Sequence, residues 1–268
     1  MPNQPLIIGH RGASAVAPEN TLASFALAVE AGADGVEFDV RLARDGVPVI
    51  IHDETLQRTA SIQKRVADVS AAELQQMNVG SSFSRSKKAT TDKFAAERVP
   101  TLQQLFDLFA SNDALLYLEM KCVPSERTQL AATCCRLILE HSLSERVVVE
   151  SFDLDAIEAV KSIEPSIRTA ALFEPKFSNA SSLLTGQRLV DRAKSAGADE
   201  IALHYKIASR RLISKAQLNG LSVVVWTVDN PDWVERARAM SIDALITNDP
   251  AMMLRERTTS RPEGGVII

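Results

Sequence analysis

His10 follows Leu6-Ile7-Ile8-Gly9, and His52 follows Val49-Ile50-Ile51. Glu37 and Asp39 stand two apart late in the run Val36 to Val40, and Glu119 and Lys121 have the same spacing after Leu115 to Leu118. Residues two apart on a strand project to the same side. If these strands are parallel and close into a barrel, their ends gather at one face, and three carboxylates meet two imidazoles there. Two carboxylates about 5 Å apart repel by roughly 3 kcal/mol at an effective dielectric of 20, and a third adds to that. A proton or a cation must relieve the repulsion. An all-oxygen ligand set suits Mg²⁺, Ca²⁺ or Mn²⁺ better than a soft metal. The imidazoles, with a free pKa of about 6.5, suit proton transfer near neutrality. The plainer reading of Glu37 and Asp39 is a pair of solvated carboxylates on an edge strand. The flanking Val36, Phe38 and Val40 argue against it, because they bury at least one face of the strand. His141 follows a helix end and reads as structural. His204, in Leu203-His204-Tyr205-Lys206, also ends a strand, and its role is left open. Trp226 ends Val223-Val224-Val225-Trp226, where an aromatic either fills the barrel or walls the site; the strand-end position favours the wall.

The elements that must position these groups alternate along the chain. Strand candidates are Leu6 to Ile8, Val36 to Val40, Val47 to Ile51, Leu115 to Leu118, Val147 to Val149, Arg168 to Leu172, Glu200 to Leu203, Ser222 to Thr227 and Ala244 to Thr247, with helical patterns between most of them. The first helix reads as capped by Asn20, carries Leu22, Phe25, Ala26 and Val29 on one face, and stops at Gly32. Asp45-Gly46 is a turn signal. Thr101 and Gln104 form a capping box, and Asn230-Pro231 opens a later helix. Residues 53–98 are polar and break the alternation, with helix expected only over Ser70 to Met77; they read as an insertion over one face, with Arg85-Ser86-Lys87-Lys88 as solvated loop. A βαβα series gives a parallel sheet, closed or open. No Gly-x-Gly-x-x-Gly follows the first strand, which counts against a dinucleotide fold and favours a (β/α)8 barrel of TIM type. Nine candidates for eight positions mean that one strand is misread or lies outside the barrel. The expected layout is one catalytic barrel over 1–254, interrupted at 53–98, and a polar, poorly ordered tail over 255–268.

Composition narrows the class. The 268 residues carry 34 acidic and 30 basic side chains, a formal net charge of −4, which disfavours nucleic acid as a partner. Hydrophobic residues make up 46%, enough for a sizeable core, and no apolar run is long enough for membrane insertion or a signal peptide. Cys122, Cys134 and Cys135 lack the spacing of a disulfide framework or a thiolate zinc site and read as reduced thiols of a cytoplasmic protein. A monomer and a homodimer both remain open.

Several ordered pieces carry a family likeness. His10-Arg11-Gly12-Ala13, Ala17-Pro18-Glu19-Asn20-Thr21, Gly32 to Val40 and Asp45 to Asp53 resemble the glycerophosphodiester phosphodiesterase family. The likeness resumes at Val99-Pro100-Thr101-Leu102 and Leu118-Glu119-Met120-Lys121, continues through Ser151-Phe152 and Trp226-Thr227-Val228, and ends with Asp243 to Pro250. The resemblance implies a barrel with a small cap subdomain inserted after the third strand, cleaving glycerophosphodiesters to sn-glycerol 3-phosphate and an alcohol with a divalent cation. The family's paired histidines fall on His10 and His52, its metal carboxylates on Glu37, Asp39 and Glu119, and its phosphate-contacting cations on Arg11 and Lys121. Glu19 matches the glutamate of the Pro-Glu-Asn-Thr motif, with a positioning role at the substrate. Which histidine is acid and which is base stays open, as does the choice between water and the substrate's 2-hydroxyl as nucleophile. Two departures stand out: Ala60-Ser61-Ile62-Gln63-Lys64 replaces a glycine-containing segment, and Glu150 stands where a small polar residue is common. An acyl-chain substrate, as in lysophospholipase D or sphingomyelinase D-like enzymes, would need an apolar groove. The polar insertion makes water-soluble diesters the expected substrates. A barrel that only binds metal or phosphate would be expected to lack part of the set, and here the set is complete.

Overall fold

The computed structural model describes residues 4–81, 83, 93–175 and 186–259. Nine strands follow in chain order: β1 (Leu6–His10), β2 (Gly35–Leu42), β3 (Pro48–Ile50), β4 (Leu115–Met120), β5 (Val147–Ser151), β6 (Arg168–Phe173), β7 (Glu200–His204), β8 (Ser222–Trp226) and β9 (Ala244–Thr247). Eight of them run parallel in the order β1-β2-β4-β5-β6-β7-β8-β9. β9 pairs with β1, which closes the barrel. All nine strand candidates form, and β3 is the one outside the barrel: among the nine strands it pairs with β2 alone, antiparallel, with Val40 opposite Ile50 and Leu42 opposite Pro48. The reason is chain length. A parallel pair needs a crossover of a dozen residues or more, and the short Asp45-Gly46 turn permits only a hairpin.

Two apolar clusters lie between the strands and the outer helices, one around Phe25, Phe38 and Leu118, the other around Ile201, Val223 and Trp233. A third contains only strand residues: Ile8, Tyr117, Val148, Ala170, Leu172, Ala202, Val224, Ala244 and Ile246. It fills the barrel interior and fixes which side of each strand faces inward.

Residues 51–99 carry more helix than expected. Short helices at Gln57–Ala60 and Ala71–Leu74 flank a 3₁₀ turn at Val66–Asp68. Leu56, Val66, Val69 and Leu74 pack with Val49 and Ile51 into a small separate core, so the segment is anchored on β3 despite its polar composition. The charged run Arg85 to Lys88 lies outside the described residues. Both capping boxes form, at Ser70/Glu73 and Thr101/Gln104. The helix Asp232–Met240 starts directly after Asn230-Pro231, with Pro231 at the cap position and the Asn230 side chain accepting from the Asp232 N–H at 2.9 Å. The first helix, Leu22–Glu30, is capped by Thr21 rather than Asn20. Asn20 sits at φ +58°, outside the extended backbone an N-cap needs, and its buried side chain is used elsewhere. The last helix, Pro250–Thr259, runs through the expected tail boundary and is tied down by Arg257, which pairs with Asp34. Residues 260–268 lie outside the described set. Among the described residues the three cysteines are unpaired, and no helix is long and apolar enough to cross a membrane.

Candidate active site

The inward-facing positions of the strands dictate the site. Side chains alternate across a strand, so each interior apolar residue has a successor two positions on that also faces inward, one layer nearer the strand's C-terminal end. His10 succeeds Ile8, Glu119 succeeds Tyr117, Glu150 succeeds Val148, Glu174 succeeds Leu172, His204 succeeds Ala202, Trp226 succeeds Val224 and Asn248 succeeds Ile246. Glu37 lies level with Tyr117 and opposite His10 in the strand register, and Asp39 lies level with Glu119. Of these, His10, Glu37, Glu119, Glu150, Glu174 and Trp226 line a cavity open to solvent, together with Arg11, His52 and Lys121.

Oxygen atoms of Glu37, Asp39 and Glu119 lie within 4.8 Å of one another, and all three side chains are buried. Burial, together with Asp39 and Glu119 nearby, pushes the Glu37 carboxyl well above the usual range. Burial also pushes Glu119 up, to about 7, although Lys121 opposes the shift. Burial favours the protonated form of Asp39 too, but Arg11 and Lys121 outweigh it and hold this carboxyl below its ordinary range. The cations are close: Lys121 Nζ lies 2.6 Å from Glu119 Oε1 and 3.2 Å from Asp39 Oδ1, and Arg11 Nε lies 3.1 Å from Asp39 Oδ2. The buried Oε1 of Glu37 has no hydrogen-bond partner. A partnerless buried oxygen within a set of hard oxygen donors fits a divalent cation of the Mg²⁺ or Ca²⁺ kind.

The loop after β1 is shaped to serve this cluster. Arg11 and Gly12 take φ of +53° and +82°, a sparsely populated region for a residue such as arginine. A Cβ on Gly12 would meet Ser24 Oγ at 2.4 Å, so glycine is required there. The turn aims the Arg11 backbone N–H at Glu37 Oε2, 3.0 Å away. Glu19 stands back from the cavity, its carboxylate held by Arg11 at 2.9 Å and by Arg58 at 2.6 Å.

The two histidines are held differently. His10 Nδ1 lies 2.7 Å from Asn248 Oδ1, and Asn248 Nδ2 donates to Asp229 Oδ2 at 2.7 Å. A carboxylate only accepts, so Asp229 fixes the amide with its oxygen toward His10. Nδ1 must then carry the proton, which leaves Nε2 as an acceptor, 3.8 Å from Glu37 Oε2. Burial, aided by Arg11, lowers the His10 pKa to about 4, so the ring is neutral at pH 7. His52 is a third exposed, and its Nδ1 meets Asp53 Oδ1 at 2.7 Å. Hydrogen bonds from Arg58 bring Asp53 down to about 2 and keep it ionised. Burial lowers His52 as well, while Asp39 and Asp53 oppose the shift.

The structure thus gathers His10, His52, Glu37, Asp39, Glu119, Arg11, Lys121 and Trp226 at one end of the barrel. It also recruits residues to which the sequence reading gave no role. Asn20 donates to Asp39 Oδ2 at 2.8 Å, where a cap had been expected. Asn248, Asp229, Asp53 and Arg58 set the imidazoles. Phe152 stacks edge-on to Trp226 at 5.5 Å. His204 stands edge-on to Trp226, 5.1 Å away, and stacks on Tyr205. Glu150, 2% exposed, lines the cavity with Oε2 unpartnered.

The sequence model of the glycerophosphoryl diester phosphodiesterase family matches residues 10–252. The chain belongs to this family. Membership makes it a hydrolase of phosphoric diesters, acting on glycerophosphodiesters. A glycerophosphodiester phosphodiesterase of Caldanaerobacter subterraneus subsp. tengcongensis is 32% identical over 251 residues, covering 93% of this chain and 96% of that one. Among solved structures, a putative glycerophosphoryl diester phosphodiesterase from Silicibacter pomeroyi superposes with a TM-score of 0.86 at 28% identity, over 97% of this chain and 95% of that one. An Oleispira antarctica phosphodiesterase, solved with the product sn-glycerol-3-phosphate, gives 0.81 at 25% identity, over 94% and 96%.

Proposed function

We propose that this enzyme uses one divalent cation, Mg²⁺ or Ca²⁺, held by Glu37, Asp39 and Glu119, to release sn-glycerol 3-phosphate and an alcohol, with His10 as general base and His52 as general acid. The observation that carries the reading is the meeting of three carboxylates, within 4.8 Å of one another, with two imidazoles at one barrel mouth. When bound, the cation would neutralise non-bridging phosphate oxygens and polarise phosphorus. Arg11 offers the phosphate a planar fork of donors, and Lys121 a point charge. The buried, neutral His10 presents the Nε2 lone pair that a base requires, and takes the proton from the attacking oxygen. His52, braced by the ionised Asp53, protonates the departing alcohol oxygen; a phosphate anion beside it favours the imidazolium. Its partial exposure suits a leaving alcohol on the solvent side. Trp226 walls the glycerol moiety, and Glu19 keeps Arg11 in position.

On this reading residues 53–98 are a cap on the catalytic barrel. Arg58 supports that role, because it links the inserted segment to Glu19 and holds Asp53 against His52. Three unpaired thiols suit a cytoplasmic setting. The test is detection of sn-glycerol 3-phosphate from glycerophosphocholine, glycerophosphoethanolamine and glycerophosphoglycerol, with Mg²⁺, with Ca²⁺ and with excess chelator. Release that needs the ion is expected. Full activity in chelator, or no release from any of the diesters, would overturn the proposal.

A further inference from the structure

Glu150 has no part in the chemistry described above, yet it occupies a costly place. It is 2% exposed, lies level with Glu119 in the strand register and faces the same cavity. Its Oε2 is buried without a hydrogen-bond partner, and so is Nε1 of Trp226 across the cavity. Trp226 reaches the β5 side of the barrel, its ring 5.5 Å from that of Phe152, which follows Glu150 by two residues and so faces the same way. Apart from Glu174, the rest of this part of the wall is apolar, with Phe152, Leu172 and Ile246, and hydrocarbon satisfies neither orphan.

We propose that Glu150 is a specificity-determining residue that hydrogen-bonds the terminal hydroxyl of the substrate's glycerol moiety, the hydroxyl most remote from the phosphate. The inference rests on the function proposed above and adds the residue that selects glycerol. The diester's anionic phosphate is drawn to Arg11 and Lys121, so the part of the substrate left for Glu150 is its uncharged, polar glycerol end. A hydroxyl both donates and accepts, so a polyol serves an unpartnered carboxyl oxygen and an unpartnered indole N–H together. The leaving alcohol departs past the partly exposed His52, which leaves the inner part of the cavity to glycerol. The hydroxyl on the middle carbon adjoins the reacting phosphate, and the terminal one extends farthest from it. A site built to bond a hydroxyl rejects a ligand that lacks it, because the buried partner is then left unpaired.

The test is calorimetric binding of sn-glycerol 3-phosphate and of the propanediol phosphate that lacks only the terminal hydroxyl, with Mg²⁺ or Ca²⁺ present. The wild type is expected to favour the glycerol compound by about ten- to a hundredfold. Glu150→Met, similar in length without a hydrogen-bonding group, should bind both equally, close to the wild-type affinity for the propanediol compound. Glu150→Gln should keep part of the preference. Discrimination that survives in Glu150→Met, or is absent from the wild type, overturns the assignment and leaves the proposed function standing. A wild type that binds neither compound overturns both.

Discussion

Glu200 and Glu150 face the same barrel interior, both 2% exposed, and differ only in their surroundings. Glu200 opens β7 at the end away from the site. It accepts from Tyr117 Oη at 3.1 Å and pairs with Arg168. Glu150 lies near the site end of β5 beside Glu119, and its Oε2 accepts from nothing. The satisfied carboxylate belongs to the end of the barrel that holds the fold together. The unsatisfied ones, Glu37 and Glu150, line the cavity at the other end. Buried polar groups are normally paired within the protein, so the split between the two ends separates architecture from function without reference to relatives.

If that division is right, the two ends should respond oppositely to substitution. The largest effect is expected at the open end. His10→Ala should lower kcat/KM by roughly 10²–10⁴-fold, with the thermal midpoint little changed; near-normal turnover would remove His10 from the chemistry. At the closed end, Arg168→Met strands Glu200 and should cost about 2 kcal/mol in denaturant unfolding, while kcat stays at the wild-type level. Lost activity without lost stability would erase the distinction between the ends.

The smallest effect concerns pH. Burial and the neighbouring Glu37 and Glu119 raise the Glu150 carboxyl well above its usual range. Above about pH 4.3 the unfolded chain has released this proton while the folded metal-free protein retains it, so stability falls as pH rises. Glu150→Gln removes that dependence. Its melting advantage over the wild type, measured without metal, should widen from about pH 5 to about pH 8. A constant difference would mean that Glu150 is relieved by a partner in the protein.

The sequence exposes what depends on local pattern and hides what depends on how loops meet. The strand-end positions of His10, Glu37, Asp39, Glu119 and Lys121 follow from alternation, and that is why they could be brought together on paper. Glu150 was within reach of the same reasoning, since Val147-Val148-Val149-Glu150 puts it two beyond an inward-facing valine. β3 could have been excluded from the barrel by the length of its turn. By residue type Asn20 is as good a cap as Thr21; only its φ of +58° shows the difference. The Asp229-Asn248-His10 and Arg58-Asp53-His52 chains draw on loops and an insertion whose meeting no local spacing encodes.

The most direct measurement is calorimetric titration of Mg²⁺ and of Ca²⁺ into metal-free protein, wild type beside Glu37→Gln. One saturable ion per chain is expected in the wild type, with affinity weakened by about tenfold or more in the variant. No saturable binding, or equal affinity in the two proteins, would contradict the proposed metal site.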